Sequence, residues 1–492
     1  MQPAKSRVFV ISDLHLGGAP TSGDKPAFQM CTEKGRAALV AFIAWATAQK
    51  QPGQALHLVI AGDIIDFLAE ERAGGFLPFT SDSELACEKL KLVLSDTAPI
   101  WDELRKFLGV GGALTLMLGN HDLELSMPGP RRLLLDTLGP GRVEFLYDNQ
   151  AFTLGPLLVE HGNRYDDWNA VPHDDLRELR SRLSRGEEAT FDPLPGSRMV
   201  VELVNPTKEQ LAFVDLLKPE DAALLPFLAL LSPNRFKQVS ATLKNRVRAL
   251  RVRYGAGQQP KDRNYVGLTD DAPPAPGVGT GDAEDDHFLA LAEEAASGGD
   301  PAMAGAGDQQ SFVERWKEAA TEAYRSKLLD VLLRTLQAFR SKSRAAFALD
   351  TEEEKYLLGA TESAARGFQV IVYGHTHLPK KISLRERKAV DGSRHDAVYL
   401  NSGTWADLMA VPDGVLDGDP NAEETRESLK RFADDLAHNR VEHWRRLLPT
   451  FVDVTLDGTE VIAADVCLLD EQRSRVALTT EMIRQRLAGS AP

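Results

Sequence analysis

The chain contains 492 residues, and its 57 basic and 72 acidic residues give a formal net charge of −15 at pH 7. A chain this acidic is a poor general binder of nucleic acid, although a local basic patch can still provide binding. The hydrophobic content of 43% is ordinary for a globular protein and supplies a core. The length predicts either several domains or one enzyme domain that carries large insertions.

The cysteine pattern and the lengths of the apolar runs predict where in the cell the protein is located. Cys31, Cys87 and Cys467 are far apart and form no CxxC pair, which argues against a disulfide scaffold and a structural zinc site. The segment before the first predicted strand is too short for a signal peptide, and no apolar run approaches the roughly 20 residues that span a bilayer. We therefore expect no transmembrane segment and a cytoplasmic location, with a peripheral position at a membrane as the alternative.

The first part of the chain alternates predicted strands with predicted helices. Strands are predicted at Arg7–Ser12, Leu56–Ala61, Leu114–Leu118, Val143–Leu146 and Leu157–Glu160, and helices at Cys31–Lys50, Ser83–Leu108 and Arg131–Leu138. This alternation predicts βαβ crossovers and a buried, largely parallel sheet.

The middle of the chain, residues 166–365, is predicted to be a helical insertion. Periodicity of 3.6 residues is found in four segments: Glu209–Leu217, Asp221–Leu231, Arg235–Tyr254 and Ser311–Phe347. Residues 262–310 are rich in Gly, Ala, Pro and Asp, which predicts a disordered acidic loop.

The strand pattern resumes after the insertion. Strands are predicted at Gln369–Tyr373 and Ala397–Leu400, a helix at Ala422–Leu447, and a hairpin at Phe451–Leu456 and Glu460–Leu468 that turns at Asp457–Gly458. The predicted organisation is a core in two parts, residues 1–165 and 366–410, with the insertion as a cap between them. Residues 411–492 are predicted to complete the core.

Five short polar signatures each follow a predicted strand. They are Asp13–His15, Gly62–Asp66, Gly119–Asp122, His161–Gly162 and Gly374–His377. In open α/β sheets, binding sites form outside the carboxyl ends of the strands. The mixed nitrogen and oxygen donors suit Mn²⁺, Fe or Zn²⁺ better than Ca²⁺. Two metals about 3.5–4 Å apart can grip a phosphoryl oxygen and generate a hydroxide nucleophile between them.

In this order, the signatures resemble the pattern of the calcineurin-like metallophosphoesterases, over residues 7–165 and 368–405. The resemblance implies an α/β core of two sheets flanked by helices (α/β/β/α), with the helical insertion as a cap. It also implies two divalent metal ions, foremost Mn²⁺, with Fe or Zn²⁺ as alternatives. The implied ligands are Asp13, His15, Asp63 and His377 for the first metal, and Asp63, Asn120, His161 and His375 for the second.

The resemblance also implies roles for residues beside the metals. His121 is expected to protonate the leaving oxygen or to stabilise charge on the phosphate, and Asp66 is expected to orient its ring. Asn120 is a candidate substrate contact. Arg164 is a second candidate because of its position on the loop just past His161, and a loop salt bridge is its alternative role. Asp63 can offer its two oxygens to two metals.

Two positions bear on the branch of the family. Phe67 stands where phosphoprotein phosphatases carry a phosphate-gripping Arg, so that branch is disfavoured. Asp13–Gly17 and Gly62–Phe67 are similar to the bacterial UDP-2,3-diacylglucosamine pyrophosphatases, which carry Arg where this chain has His121. The third block, Gly119–Asp122, is shared with nucleases of the superfamily.

The predicted function is metal-dependent hydrolysis of a phosphoester or pyrophosphate bond by a metal-bridging hydroxide. The expected substrate is a phosphorylated small molecule, a nucleotide or a lipid-linked compound. One alternative is a nuclease or cyclic-nucleotide phosphodiesterase, and another is a non-catalytic scaffold. Residues 234–254 contain seven basic and no acidic residues, all between Arg235 and Arg253. This predicted helix is either a contact for nucleic acid or an anionic membrane, or a solvated face paired with the protein's own acids. The oligomeric state is left open.

Overall fold

Two β-sheets form the centre of the molecule. A computed structural model describes residues 5–20, 27–208, 347–384, 396–409, 413–416, 418–419, 422–438 and 440–488, with isolated residues between 216 and 336. None of the helices within these residues is long and apolar enough to cross a membrane.

The larger sheet has seven strands and joins the two ends of the chain. Its strands are β1 (Lys5–Ile11), β2 (Gln54–Ala61), β3 (Ala113–Met117), β4 (Arg142–Leu146), β12 (Phe451–Asp457), β13 (Glu460–Leu469) and β14 (Arg475–Ala477). Their order is β14-β13-β12-β1-β2-β3-β4. Strands β1 to β4 are parallel, while the β12–β13 hairpin adds to β1 in the antiparallel sense. The predicted hairpin is confirmed, and its turn contains Gly458 with a φ of 60°.

The smaller sheet has five strands from both sides of the insertion. They are β5 (Phe152–Leu154), β6 (Leu157–Val159), β7 (Val370–Tyr373), β8 (Lys380–Ser383) and β9 (Val398–Asn401), in the order β5-β6-β7-β9-β8. Strands β6, β7 and β9 are parallel, and β5 and β8 run antiparallel at the edges. A separate antiparallel pair consists of β10 (Asp407–Met409) and β11 (Arg445–Leu447).

Alternation along β1 produces the layered core. Phe9 and Ile11 pack against the helices α1 (Glu33–Ala48), α2 (Ser83–Asp96), α3 (Ala98–Gly109) and α4 (Pro128–Leu138). Val8 and Val10 point to the opposite face and pack against the smaller sheet. The far face of that sheet is covered by the helix Glu354–Ala365. The predicted two-sheet core between helical layers is confirmed.

The described part of the insertion is helical. It contains α5 (His173–Ser184), α6 (Pro195–Met199), α7 (Asn205–Lys208) and α8 (Glu354–Ala365), and no strand lies within residues 166–208 or 347–365. The predicted helices between Glu209 and Phe347, the acidic loop 262–310 and the basic run Arg235–Arg253 lie outside the described residues, apart from a few isolated positions. The domain boundaries stay predictions.

Two helices are shorter than predicted. The helix predicted at Ser83–Leu108 is broken at Thr97 into α2 and α3, because Pro99 has no N–H to continue the helical hydrogen bonds. The helix predicted to reach Leu447 is α10 (Glu423–Ala437), with the short α9 (Asp413–Leu416) before it. Residues 445–447 instead form β11, where Arg445 Nε donates to Asp407 Oδ2 at 2.9 Å.

Candidate functional site

The five signatures lie at the carboxyl ends of β1, β2 and β3 in the larger sheet and of β6 and β7 in the smaller sheet. The loops after β1 and β2 stay paired beyond the strands, because Asp13 N donates to Gly62 O at 3.1 Å and His15 N to Asp63 O at 2.9 Å. Residues far apart in the sequence are thereby brought to one edge of the core.

One group of donor atoms consists of Asp13, His15 and His377. All three residues are buried. His15 Nε2 lies 3.0 Å from His377 Nε2, which lies 3.4 Å from Asp13 Oδ1. Donors held at about 2.1 Å by one ion stand about 3.0–3.4 Å apart, so the spacing fits a common cation.

A second group consists of Asp63, His161 and His375, with Asn120 beside it. His161 Nε2 lies 3.2 Å from Asp63 Oδ2 and 3.3 Å from Asn120 Oδ1. Its other ring nitrogen, Nδ1, lies 2.7 Å from the carbonyl of Ala61, which leaves Nε2 to face the group.

Asp63 lies between the two groups. Its Oδ2 is 3.2 Å from His161 Nε2 and 3.9 Å from His15 Nε2, while its Oδ1 accepts the backbone N–H of His121 at 2.8 Å. The sequence suggested one carboxylate oxygen for each metal. In the structure Oδ2 faces both groups and Oδ1 is held by the loop after β3, and the binding of one oxygen to each metal stays a prediction.

The backbone around the site is strained. Five of the predicted ligands have φ in the left-handed region: Asp13, His15, Asp63, His375 and His377, with values from 43° to 69°. Such conformations cost of order 1–3 kcal/mol per residue and cluster at functional sites. Gly62 has a φ of 91°, and a Cβ there would lie 2.5 Å from His161 Nδ1, so the close approach requires glycine.

The buried charges of the site are coupled. Burial raises the pKa of Asp13, although the positive charge of His161 opposes this. Burial also raises the pKa of Asp63, but His161 and His121 outweigh it and hold that pKa well below its usual range. Burial lowers the pKa of His161, but the Asp63 carboxylate outweighs it and raises the value to about 9. A cation bound here would replace the His161 proton as the partner of Asp63.

His121 lies beside both groups and more open to solvent. Its side chain is 15% exposed, against 4% for Asp66, whose Oδ1 lies 3.2 Å from His121 Nδ1. Burial raises the pKa of Asp66, but its hydrogen bond to His121 and the charge of that ring outweigh burial and hold it far below its usual range. Asp66 therefore stays ionised and fixes the ring of His121.

The last residue of the third signature, Asp122, joins two loops. Its carboxylate oxygens accept the backbone N–H of Gly119 at 2.7 Å and of Ile64 at 2.8 Å. Burial and the nearby Asp63 raise the pKa of Asp122 to about 7. This residue ties the loops after β2 and β3 together.

The polar turn after β9 donates hydrogen bonds to the loops that carry the first and fifth signatures. Asn401 Nδ2 donates to Gly374 O at 2.7 Å, and Thr404 Oγ1 donates to Asp13 O at 2.8 Å. The sequence shows this turn as a polar segment after a strand, but gives no sign that it contacts the first and last signatures.

Arg164 lines a cavity that borders His161. Its Nη1 donates to Glu160 Oε1 at 3.0 Å, so the salt bridge considered as its alternative role is present. His173 lines the same cavity, and burial together with the charge of Arg177 lowers its pKa to about 4. The phosphate contact of Arg164 stays a prediction.

The family model of the calcineurin-like phosphoesterases matches residues 6–205. The match spans β1 to β6, which includes four of the five signatures, and ends before His375 and His377. A search of curated proteins gives no match. Residues 6–205 therefore match a calcineurin-like phosphoesterase domain, and the resemblance seen in the sequence is confirmed for these residues. The family consists of metal-dependent phosphoesterases, which act on phosphorylated substrates.

Proposed function

We propose that the protein is a phosphohydrolase that uses two divalent metal ions to cleave a phosphoester or pyrophosphate bond. The observation that carries this proposal is the pair of neighbouring donor groups, with Asp63 Oδ2 3.2 Å from His161 Nε2 of one group and 3.9 Å from His15 Nε2 of the other. The proposed ligands are Asp13, His15, Asp63 and His377 for the first ion, and Asp63, Asn120, His161 and His375 for the second.

The donor set supports a transition metal. Its atoms are imidazole nitrogens, carboxylate oxygens and one amide oxygen, which suit Mn²⁺ first, with Fe or Zn²⁺ as alternatives. Two such ions, when bound, polarise a phosphoryl oxygen and lower the pKa of water. The buried position of the donors strengthens these electrostatic effects because the local dielectric is low.

His121 is the proposed proton donor to the leaving oxygen, or the group that stabilises charge on the phosphate. The 3.2 Å contact with the Asp66 carboxylate stabilises the imidazolium form that a proton donor needs. Because the backbone N–H of His121 also donates to Asp63, the proposed acid is fixed relative to the proposed shared ligand.

The proposed substrate is a phosphorylated small molecule, a nucleotide or a lipid-linked compound, with Asn120 and Arg164 as its contacts. Phe67 disfavours a phosphoprotein substrate, because its ring is buried in the helical side of the core and offers no charge to phosphate. The similarity to the bacterial UDP-2,3-diacylglucosamine pyrophosphatases is consistent with a pyrophosphate bond and stays a prediction. The basic run that would favour a nuclease lies outside the described residues.

The proposed organisation places residues 1–165, 366–410 and 411–492 in the catalytic core and residues 166–365 in a cap. The pairing of β12 with β1 supports the assignment of the C-terminal part to the core. The pairing of β6 with β7 supports the assignment of the residues on both sides of the insertion to one sheet.

The proposal is tested with metal-stripped protein reconstituted with Mn²⁺, assayed on p-nitrophenyl phosphate and on bis-p-nitrophenyl phosphate. We expect Mn²⁺-dependent hydrolysis that is lost in Asp63→Asn and kept in Asp167→Asn, an exposed neighbour of the site. A preference for the diester would direct the search to nucleotides and pyrophosphates, and a preference for the monoester would indicate a phosphatase. Two bound ions without hydrolysis of either compound would indicate a selective cap or the scaffold alternative. Hydrolysis that persists in Asp63→Asn would contradict the proposal.

A further inference from the structure

A row of hydrogen bonds connects two of the proposed ligands of the second metal. His375 Nε2 lies 3.1 Å from Asp166 Oδ2, which accepts from Asn169 Nδ2 at 2.6 Å. Asn169 Oδ1 in turn accepts from Asn120 Nδ2 at 3.3 Å. Neither Asp166 nor Asn169 belongs to the five signatures.

We infer that Asp166 and Asn169 are positioning residues, which set the ring proton of His375 and the amide orientation of Asn120 before a metal binds. The inference rests on the proposed function, because it takes His375 and Asn120 to be metal ligands. It goes beyond that function by adding two residues that determine whether the second ion is held.

The Asp166 carboxylate determines which nitrogen of His375 carries the ring proton. Asp166 is 3% exposed, and an ionised carboxylate only accepts hydrogen bonds. The proton in its contact with His375 therefore lies on Nε2 of the ring. In a neutral imidazole the other nitrogen then carries a lone pair, so Nδ1 is the nitrogen left for a metal.

The hydrogen bonds of Asp166 also determine the orientations of the Asn169 and Asn120 amides. Because the Asp166 carboxylate accepts a hydrogen bond from Asn169, the NH₂ group of Asn169 faces it. The carbonyl oxygen of Asn169 is therefore turned toward Asn120. That oxygen accepts from the NH₂ group of Asn120. The carbonyl oxygen of Asn120 is thus directed to the other side, where it lies 3.3 Å from His161 Nε2. An amide that could flip would present its NH₂ group to a cation in half of its orientations.

The loop that carries this row is itself held in place. Asp166 Oδ1 accepts the backbone N–H of Trp168 at 3.0 Å, and Asn163 Nδ2 donates to Asn169 O at 2.9 Å. Gly196 N, at the start of α6, donates to Trp168 O at 3.0 Å, and a Cβ at Gly196 would overlap Asn169 Oδ1. The outer contacts therefore couple the first part of the insertion to the proposed metal site.

The decisive variant is Asp166→Asn. Its side chain keeps the shape of aspartate but has a single acceptor oxygen for the three N–H groups that Asp166 receives, from Trp168, Asn169 and His375. It also lacks the negative charge that holds the ring proton on Nε2, so Nδ1 is no longer kept free for a metal. We expect one of the two Mn²⁺ equivalents to bind about 10–100-fold more weakly, as for other outer-sphere partners of metal ligands, and the other to bind as in the wild type. Asn169→Leu, which removes the acceptor for Asn120, should weaken the same equivalent, and Asp167→Asn is the matched control. Calorimetric titration and metal analysis give both affinities.

A second readout does not depend on metal. In metal-free protein labelled with ¹⁵N-histidine, the ring of His375 should carry its proton on Nε2 in the wild type, and the fraction with the proton on Nδ1 should rise in Asp166→Asn. His375→Gln identifies the signal. Asp166→Glu, which keeps the carboxylate, should restore the wild-type proton position.

The outcomes separate this inference from the proposed function. Wild-type affinity for both ions in Asp166→Asn, or an unchanged proton position on His375, would overturn the inference. If the wild type binds two ions and hydrolyses no phosphoester, the positioning role stands and the proposed function fails. If Asp166→Asn does not fold, Asn169→Leu and the wild-type ring signal still decide the question.

Discussion

The carboxylate of Asp66 lies between two imidazole rings, 3.2 Å from Nδ1 of His121 and 3.8 Å from Nδ1 of His15. Only the first of these contacts is within hydrogen-bond distance. The rings of His15 and His121 meet edge to face with centroids 4.7 Å apart. The buried Asp66 carboxylate is thus within hydrogen-bond distance of the proposed acid, His121, and lies next to the proposed metal ligand His15 without a hydrogen bond to it.

Asp66→Asn should lower kcat without loss of metal. The amide keeps the shape of the carboxylate but no longer stabilises the imidazolium form of His121, so we expect kcat to fall by about 10- to 100-fold, within the range that general acid catalysis supplies. The basic limb of the pH–rate profile should move to lower pH, because His121 would lose its proton more readily. Wild-type kcat together with an unmoved profile would show that Asp66 does not act through His121.

Asp63→Ala and His121→Ala should both abolish turnover, but only Asp63→Ala should also strip metal. Asp63 Oδ2 faces both donor groups, whereas His121 contributes no atom to either of the groups that contain Asp13 or Asp63. Metal analysis after gel filtration, beside the phosphatase assay, separates the two effects. Full activity of His121→Ala on every substrate that the wild type cleaves would make the assigned role wrong.

The fold was predictable where apolar alternation is strong. Strands β1 and β7 are β-branched runs, and they lie within two residues of their predicted bounds. The edge strand β8 (Lys380–Ser383) has little apolar pattern, and β5 has three residues, so neither gives a clear local signal. The break at Thr97 did have a signal in Pro99, which competed with the continuous helical periodicity of the region.

The composition of the site was predictable, but its outer contacts were not. The predicted ligands occur in short motifs that follow strands, and such motifs can be recognised locally. Asp166 lies in no motif, and its partner His375 is 209 positions away. The single oxygen of Asp63 that faces both groups also depends on a contact between separate loops, since His121 holds the other oxygen. Contacts of this kind are set by the packing of the two sheets.

Gly119→Ala should disrupt the site without changing a ligand. A Cβ at Gly119 would overlap both the carboxylate and the backbone nitrogen of Asp63, although the φ of Gly119 itself is not in the left-handed region. We expect Asp63 to be displaced, with weaker metal binding and activity lower by about 100-fold, which is typical of small displacements of catalytic groups. Gly109→Ala is the matched control, because a Cβ there meets nothing within 4 Å. Equal activity of the two variants would contradict the expected displacement.

Arg164→Gln tests the proposed substrate contact against the salt bridge. Glu160→Gln breaks the same ion pair but keeps the guanidinium, so the two variants differ in the group that can reach phosphate. If Arg164 binds substrate, KM should rise about tenfold or more in Arg164→Gln alone, as expected for the loss of a hydrogen bond to a charged group. Equal KM values in the two variants would assign Arg164 to the salt bridge only.

His57 should make the stability of the core depend on pH. It lies on β2 with Nε2 2.8 Å from Thr115 Oγ1, and its ring meets Phe152 of the smaller sheet edge to face at 4.8 Å. Burial, followed by the charge of Arg142, lowers the pKa of His57 to about 4. In the unfolded chain the value is about 6.5. The unfolded state therefore binds the proton first, and the free energy of unfolding should fall by about 2–3 kcal/mol as the pH drops from about 6.5 to 4.

His57→Gln, which can still form a hydrogen bond to Thr115, removes the contribution of His57 to this pH dependence but leaves the contribution of His173. Urea titrations across this range should show a shallower loss of stability in the variant than in the wild type, and parallel curves would contradict the role of His57.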